Sequence, residues 1–328
     1  MKASGGSRLS LSFIWLLLTV ALLIGVFANR EHILDWAALR GYSPPATISA
    51  LADATTMSQT AKDLFYVNRP EVQDRAAFNK SCTNKSEQSL VLGCYHGNRQ
   101  GIFIFKVDSA ELDGVEEVTA AHEMLHQAYD RLSSSERQHI DDLLQDYYKT
   151  KLQDQTVKDQ IEGYKKSEPD AVVNEMHSLF GTEIKDLPTE LQDYYTRYFA
   201  DRSKVVALYA NYQAAFTERQ KQIDDYDAQL KAKKPQIAAA QSALEAQYSQ
   251  LEQQKAQMDA YKQAGDISTF NAMVKPYNAL VDSYNSGVQS LKGQIATYNS
   301  LVEKRNAIAA QEQQLQQELS SKQLQTAP

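Results

Sequence analysis

The chain carries no excess of basic residues: 34 Lys and Arg stand against 41 Asp and Glu, a net charge of −7 over 328 residues. Phosphate backbones are gripped by basic surfaces, so nucleic acid is excluded as a partner. Cysteine is nearly missing, with only Cys82 and Cys94, and their spacing suits no common zinc motif. Histidine is scarce as well, six in all. That scarcity makes the arrangement of two of them informative.

His122-Glu123-Met124-Leu125-His126 is an H-E-x-x-H pattern. By composition alone an accidental match arises on the order of once in a hundred such chains. On a helix the two imidazoles fall on one face and can hold a zinc ion between them. Glu123 is turned about 100° away, so its carboxylate suits a base that takes a proton from water. The competing reading is a solvated His/Glu face on an ordinary helix.

The surroundings favour a helix. Asp113 and Glu116 read as a capping box, and Val118, Ala121, Leu125, Ala128 and Leu132 form an apolar stripe beside the histidines. Upstream, Gly101–Val107 reads as a β-strand. A strand followed by a metal-binding helix suits an edge strand that pairs with an extended peptide beside the metal.

Catalytic zinc takes three protein ligands and keeps a fourth position for water. Downstream, a helix is expected to start at Ser167 with Pro169 and Asp170 in its first turn and to end at Gly181. It offers Glu175 as third ligand, with His177 as competitor. Here the chain resembles the gluzincin metallopeptidases, the thermolysin-like clan, in which a second helix supplies a glutamate ligand. Asn174-Glu175, followed by Ser, Phe, Gly and Thr, looks like the thermolysin glutamate helix with one residue missing. The run from His122 to Asp130, H-E-x-x-H-x-x-x-D, matches the spacing around the first helix. The resemblance implies His122, His126 and Glu175 as zinc ligands, Glu123 as base, and Asn174 and Asp130 as supports behind the ligands. It covers about 70 residues. Two departures stand out: Leu179 occupies the place of an aspartate in thermolysin, and the gap from His126 to Glu175 is longer and holds an extra helical segment, roughly 135–164. The resemblance therefore extends to the clan and not to the thermolysin family.

Residues 11–28 are almost wholly apolar and long enough to span a bilayer. Lys2 and Arg8 precede them, so the positive-inside rule keeps residues 1–10 cytoplasmic and exports the rest. A cleavable signal peptide ending at Val26-Phe27-Ala28 is the rival; the length of the run favours an uncleaved signal-anchor. Residues 29–45 then form a juxtamembrane linker in which Trp36 and the segment to Tyr42 rest at the interface. Export suits a Cys82–Cys94 disulfide, worth roughly 3 kcal/mol by loop closure.

Residues 46–202 suffice for one compact domain. Expected there are helices at 46–54, 59–65 and 71–80, strands at 64–67, 89–94 and 101–107, and then the two zinc helices. The fold class is thus mainly α, of α+β type. Residues 190–204 read as one aromatic-rich helix whose Tyr198 or Arg202 could stabilise an oxyanion. From Val205 the apolar residues recur at heptad steps, starting with Tyr209 and Tyr212, past Pro235 and up to a break at Gly265-Asp266. A second run continues from Tyr277 to Val302. Two such runs predict an antiparallel coiled-coil hairpin over 203–322, before a short tail at 323–328, with Pro235 kinking or interrupting the first arm.

Two function classes follow. One is a single-pass, membrane-anchored zinc metallopeptidase with an extracytoplasmic catalytic domain, a polypeptide substrate, and a coiled coil that pairs with itself or a partner protein. The other is a non-catalytic envelope protein with a structural or vestigial zinc site. Glu123 separates them, since a structural site has no need of a carboxylate beside the metal.

Overall fold

A computed structural model of the chain describes residues 11–82 and 92–321. They form two compact units, one from residues 11–213 together with 317–321, the other from residues 214–316.

The first unit opens with α1 (Leu11–Ala28) and α2 (Arg30–Leu39). Among the described residues no single helix is long and apolar enough to cross a membrane. Trp15–Phe27 and Arg30–Leu39 meet that criterion only as a pair, bent by 62°. Pro45 then caps α3 (Ala46–Ala54). Ser58 caps α4 (Gln59–Val67) by accepting from the Ala61 N–H. The strand expected at 64–67 is therefore the last turn of α4. Its aromatic and β-branched residues favour strands, but Ala61 and Phe65 share one helical face and are buried in the core, and that burial overrides local preference.

The expected helix over 71–80 divides. Glu71–Gln73 is β1, and Asp74 caps α5 (Arg75–Ser81) by accepting from the Ala77 N–H. The other strands are β2 (Gly93–His96) and β3 (Gly101–Phe105). They align in the order β1-β3-β2, with β1 parallel and β2 antiparallel to β3. The sequence thus locates β3 well and β2 in part; positions 89–91 of the expected strand lie outside the described residues. β3, which precedes the histidine helix in the chain, is central, and β1 and β2 are the edges. A Cys82–Cys94 disulfide joins the end of α5 to β2, as expected.

The histidine helix is α6 (Val115–Asp130). It begins without the expected capping box: Gly114 is the N-cap in a left-handed conformation (φ 101°), and Glu116 instead accepts from the Val107 N–H at 2.8 Å. Val118, Ala121, Leu125 and Ala128 are buried as the stripe predicts, while Leu132 lies past the end of the helix and is only half-buried; α6 packs on α3, α4, β2, β3 and the later glutamate helix. The single segment expected at 135–164 is two helices, α7 (Ser134–Thr150) and α8 (Gln155–Ser167). Ser167 belongs to the last turn of α8, where its hydroxyl donates to the Gly163 carbonyl. The glutamate helix α9 (Val172–Thr182) starts later than its sequence signals predict. Gly181 does not terminate it. A Cβ there would stand 2.4 Å from Leu125, so this glycine lets α9 approach α6 closely.

The helix expected at 190–204 is broken into α10 (Thr189–Tyr195) and the start of α11 (Arg202–Gln263). Between them Phe199 bridges to Met57, and backbone bonds join Ser58 to Tyr198 and Ala200 to Thr56. Tyr209 and Tyr212, at the head of the predicted heptad run, are buried in this first unit. The chain returns to the unit at its far end, where Arg75 and Asn79 donate to the carbonyls of Gln317 and Ser321.

The second unit is a helical hairpin made by the rest of α11 and α12 (Ile267–Leu319). It turns at Gly265, whose φ of 77° is open to glycine without strain. Tyr248 and Tyr284 meet across it with ring centroids 6.1 Å apart, and Arg305 pairs with Asp227. These pairings make the arms antiparallel, as the heptad pattern predicts. Pro235 interrupts nothing: α11 continues through it.

Candidate metal centre

The centre forms where α6 and α9 cross. His122 and His126 lie one turn apart on α6, ring centroids 4.8 Å apart. Glu175, on the first turn of α9, reaches both. Its Oε2 stands 3.4 Å from His122 Nε2 and its Oε1 stands 3.5 Å from His126 Nε2. Two ligands on one tetrahedral zinc, at bond lengths of 2.0–2.2 Å, stand about 3.3–3.6 Å apart. Both separations match that edge length. Oε2 is also buried without a hydrogen-bond partner of ordinary geometry. Such an atom is expensive to leave alone and is well suited to a cation. Two imidazoles and one carboxylate are a common donor set for catalytic zinc, so the residues fit the metal.

Glu175 is only 7% exposed. Burial pushes its carboxyl upward, but His126, His122 and a hydrogen bond from Tyr164 outweigh it and hold the group below its ordinary value. The ionised form, the one that binds metal, is thereby favoured.

Behind the ligands, His126 Nδ1 lies 3.1 Å from Asn174 Oδ1 and 3.3 Å from Ser178 Oγ. A bond from Nδ1–H to Asn174 fixes the ring and leaves Nε2 as the metal-facing nitrogen. Asn174 occupies the supporting position that the resemblance implies. Asp130 does not: in the last turn of α6 its carboxylate accepts from the Tyr95 hydroxyl of β2 at 3.0 Å.

Glu123 is buried, and the three residues His122, Glu123 and His126 offer ligand atoms all within 4.8 Å of one another. Two carboxylates therefore stand near the histidine pair. Glu175 has the spacing of a ligand to both Nε2 atoms, which leaves Glu123 as the second carboxylate beside the metal position. Its neighbour on the sheet is Gly93 of β2, where a Cβ would fall 2.6 Å from Glu123 Oε1. The edge strand β2 thus passes directly against this carboxylate.

His177 is no rival ligand. It is fully buried and faces the other side of α9, with Nε2 2.8 Å from the Tyr194 hydroxyl and the rings of Tyr129, Tyr194 and Tyr195 around it. Burial, reinforced by His126 and His122, lowers its pKa to about 3. Tyr198 belongs to the same cluster, its hydroxyl 3.4 Å from that of Tyr194. Arg202 is not brought to the centre either. Its guanidinium donates to the carbonyls of Phe180, Ile184 and Lys185 and to the Gln192 side chain, closing the C-terminal end of α9. Glu175 sits at the opposite end of that helix.

Sequence reasoning misses Tyr164, Ser178 and Gly93. Ser178 lies one turn beyond Asn174 on α9, a spacing that could have pointed to it. Tyr164 and Gly93 reach the site from other elements and carry no local signal. A second cluster, Cys82, Cys94 and His96, has ligand geometry, but the disulfide occupies both sulfurs. Comparison with protein-family models, curated proteins and solved structures finds no match for this chain.

Proposed function

We propose that the chain is a membrane-anchored zinc metallopeptidase of gluzincin type, with α1 as a signal-anchor and the domain around α6 and α9 outside the cytoplasm. The observation that carries it is Glu175 poised between the two Nε2 atoms at zinc-edge distances, with a second carboxylate, Glu123, beside them. His122, His126 and Glu175 would hold the ion. Zinc, when bound, polarises a carbonyl and acidifies water. Glu123 accepts the proton of the attacking water and delivers it to the leaving amine. Its burial favours this role, because a carboxylate shielded from solvent keeps its proton for the substrate. Asn174 and Ser178 hold His126 in orientation throughout.

The place of β2 at one edge of the sheet among the described residues supports a polypeptide as substrate. β2 pairs on one side with β3 and passes beside Glu123, so an extended peptide added to its other side would run along the metal position. The Cys82–Cys94 bridge supports an oxidising compartment outside the cytoplasm. The net charge of −7 argues against nucleic acid. The second unit, a hairpin with its own seam, would serve as spacer or as an arm for a partner.

The test is Glu123→Gln in the purified full chain. It should bind zinc like the parent and lose hydrolysis of an unfolded protein substrate. Undiminished hydrolysis would refute the mechanism. A parent that binds zinc and cleaves nothing would favour the structural-site alternative.

A further inference from the structure

Helix α2 is amphipathic in the inverse sense for a surface helix. A helix at a protein surface ordinarily buries an apolar stripe and turns its charges to water. In α2, Glu31, Asp35 and Ala38 share one face and turn inward. Arg99 contacts Glu31 at 2.8 Å and Asp35 at 2.7 Å, Arg131 pairs with both carboxylates, and Arg69 donates to the Ala38 carbonyl. The opposite face carries Ile33, Trp36 and Arg40 at i, i+3 and i+7. Ile33 is 45% exposed and Trp36 is 64% exposed, and the Arg40 guanidinium lies 5.4 Å over the Trp36 ring.

What covers that face is indicated by what precedes it. Only Asn29 separates α2 from α1, whose side chains from Trp15 to Phe27 are exposed and almost all apolar. The bend between the two helices is 62°. With α1 upright in a bilayer, α2 would lie within about 30° of the membrane plane, its start at the boundary that α1 leaves. Tryptophan and arginine are the residues that favour this boundary, with the ring in the headgroup layer and the cation at lipid phosphate.

We propose that the Ile33/Trp36/Arg40 face of α2 is seated in the headgroup layer of the anchoring bilayer, while its Glu31/Asp35 face clamps the catalytic unit. The inference rests on the reading of α1 as a membrane anchor. The clamp reaches the elements that flank the metal centre: Arg131 is the C-cap of α6, and Arg99 lies in the turn between β2 and β3. A bracket fastened at those two points would fix how the site and the substrate edge of β2 face the bilayer. It favours substrates held at a set height above the membrane over freely diffusing ones.

The experiment uses the full chain with Trp15→Phe. The sequence holds two tryptophans, so Trp36 becomes the sole indole. The protein is reconstituted in phosphatidylcholine–phosphatidylglycerol vesicles whose chains are brominated either near the glycerol or near the chain end. The expected result is flotation with the vesicles and Trp36 emission quenched more strongly by the shallow bromine than by the deep one. In a Glu31→Gln, Asp35→Asn double variant the quenching should persist, while added protease cuts the 40–45 linker about tenfold faster or more, because the domain is no longer held. Flotation with Trp36 unquenched would overturn the seating and leave the anchor standing. Blue-shifted but unquenched emission would mean that a protein surface, such as a second copy, covers the face, and would overturn it equally. Failure to float would overturn the anchor and this inference together. An unchanged cutting rate in the double variant would overturn the clamp.

Discussion

Gly93 and Glu123 meet at the border of sheet and helix with no room for a side chain between them: a Cβ on Gly93 would lie 2.6 Å from Glu123 Oε1 and 2.8 Å from its Cγ. The glycine lets the edge strand run against the proposed base. Gly93→Ala should displace the Glu123 carboxylate and crowd Thr119, whose Cγ2 would also lie 2.6 Å from that Cβ, while neither His122, His126 nor Glu175 is among the atoms it would meet. The expected outcome is a fall in kcat of about 100-fold with zinc content unchanged, since small misplacements of a catalytic group carry that scale of penalty. Steady-state kinetics beside metal analysis checks it, and full activity in the variant would remove Glu123 from the chemistry.

The ligand set is tested by pairing Glu175→Ala with His177→Ala. Only the first should abolish stoichiometric zinc, because Glu175 faces both imidazoles while His177 is bonded to Tyr194 on the far side of α9. Asn174→Ala should weaken zinc affinity by about 10–100-fold, the range seen when the partner of a ligating histidine is lost. Competition with a chelator of known affinity measures all three. Zinc lost from His177→Ala and retained by Glu175→Ala would reverse the assignment.

His177 should make the fold sensitive to acid. Its pKa falls from 6.5 to about 3 through burial and the nearby His126 and His122. Above the unfolded value both states are neutral and the contribution is complete. As pH falls below 6.5 the unfolded chain takes up a proton that the native state refuses, and stability declines by about 1.4 kcal/mol per pH unit. At pH 5 that amounts to about 2 kcal/mol. His177→Phe should remove this part of the slope. Denaturant midpoints of chelator-treated protein at pH 7 and pH 5 provide the comparison, and identical slopes in both proteins would contradict it.

Arg202→Met should destabilise without altering chemistry. The guanidinium satisfies carbonyls at the C-terminal end of α9, and its loss leaves them buried and unpaired, at about 2–4 kcal/mol. Activity per folded molecule should be unchanged. A fall in kcat with stability intact would return Arg202 to the oxyanion role.

Much of the site was legible because it is local. His122, Glu123 and His126 owe their relation to helical periodicity alone, and the Asn174-Glu175 step places support and ligand on adjacent positions of one helix. Burial of Val118, Ala121, Leu125 and Ala128 follows from the same period. The hairpin was legible for a related reason: two heptad runs flank a glycine-aspartate break.

Elsewhere long-range contacts override the local signals. The strand expected at 64–67 is helix because Phe65 is buried in the core. The expected helix 190–204 breaks because Phe199 bridges to Met57, 142 positions earlier. Asp113 does not cap α6, since Gly114 takes the left-handed N-cap position. Asp130 fits a motif by spacing yet bonds Tyr95, because β2 lies beside it.

The sequence by itself determined a histidine pair with a carboxylate beside it, an apolar N-terminal helix, a bonded cysteine pair and two helical arms, since each depends on residues close in the chain or on a composition that admits few pairings. Only the tertiary structure decided that Glu175 and not His177 faces both imidazoles, which strand lies against Glu123, and that the acidic face of α2 turns onto Arg99 and Arg131. These relations join residues from about 30 to 100 positions apart, and at such separations the packing of whole elements fixes the partner while local propensity carries no information about it.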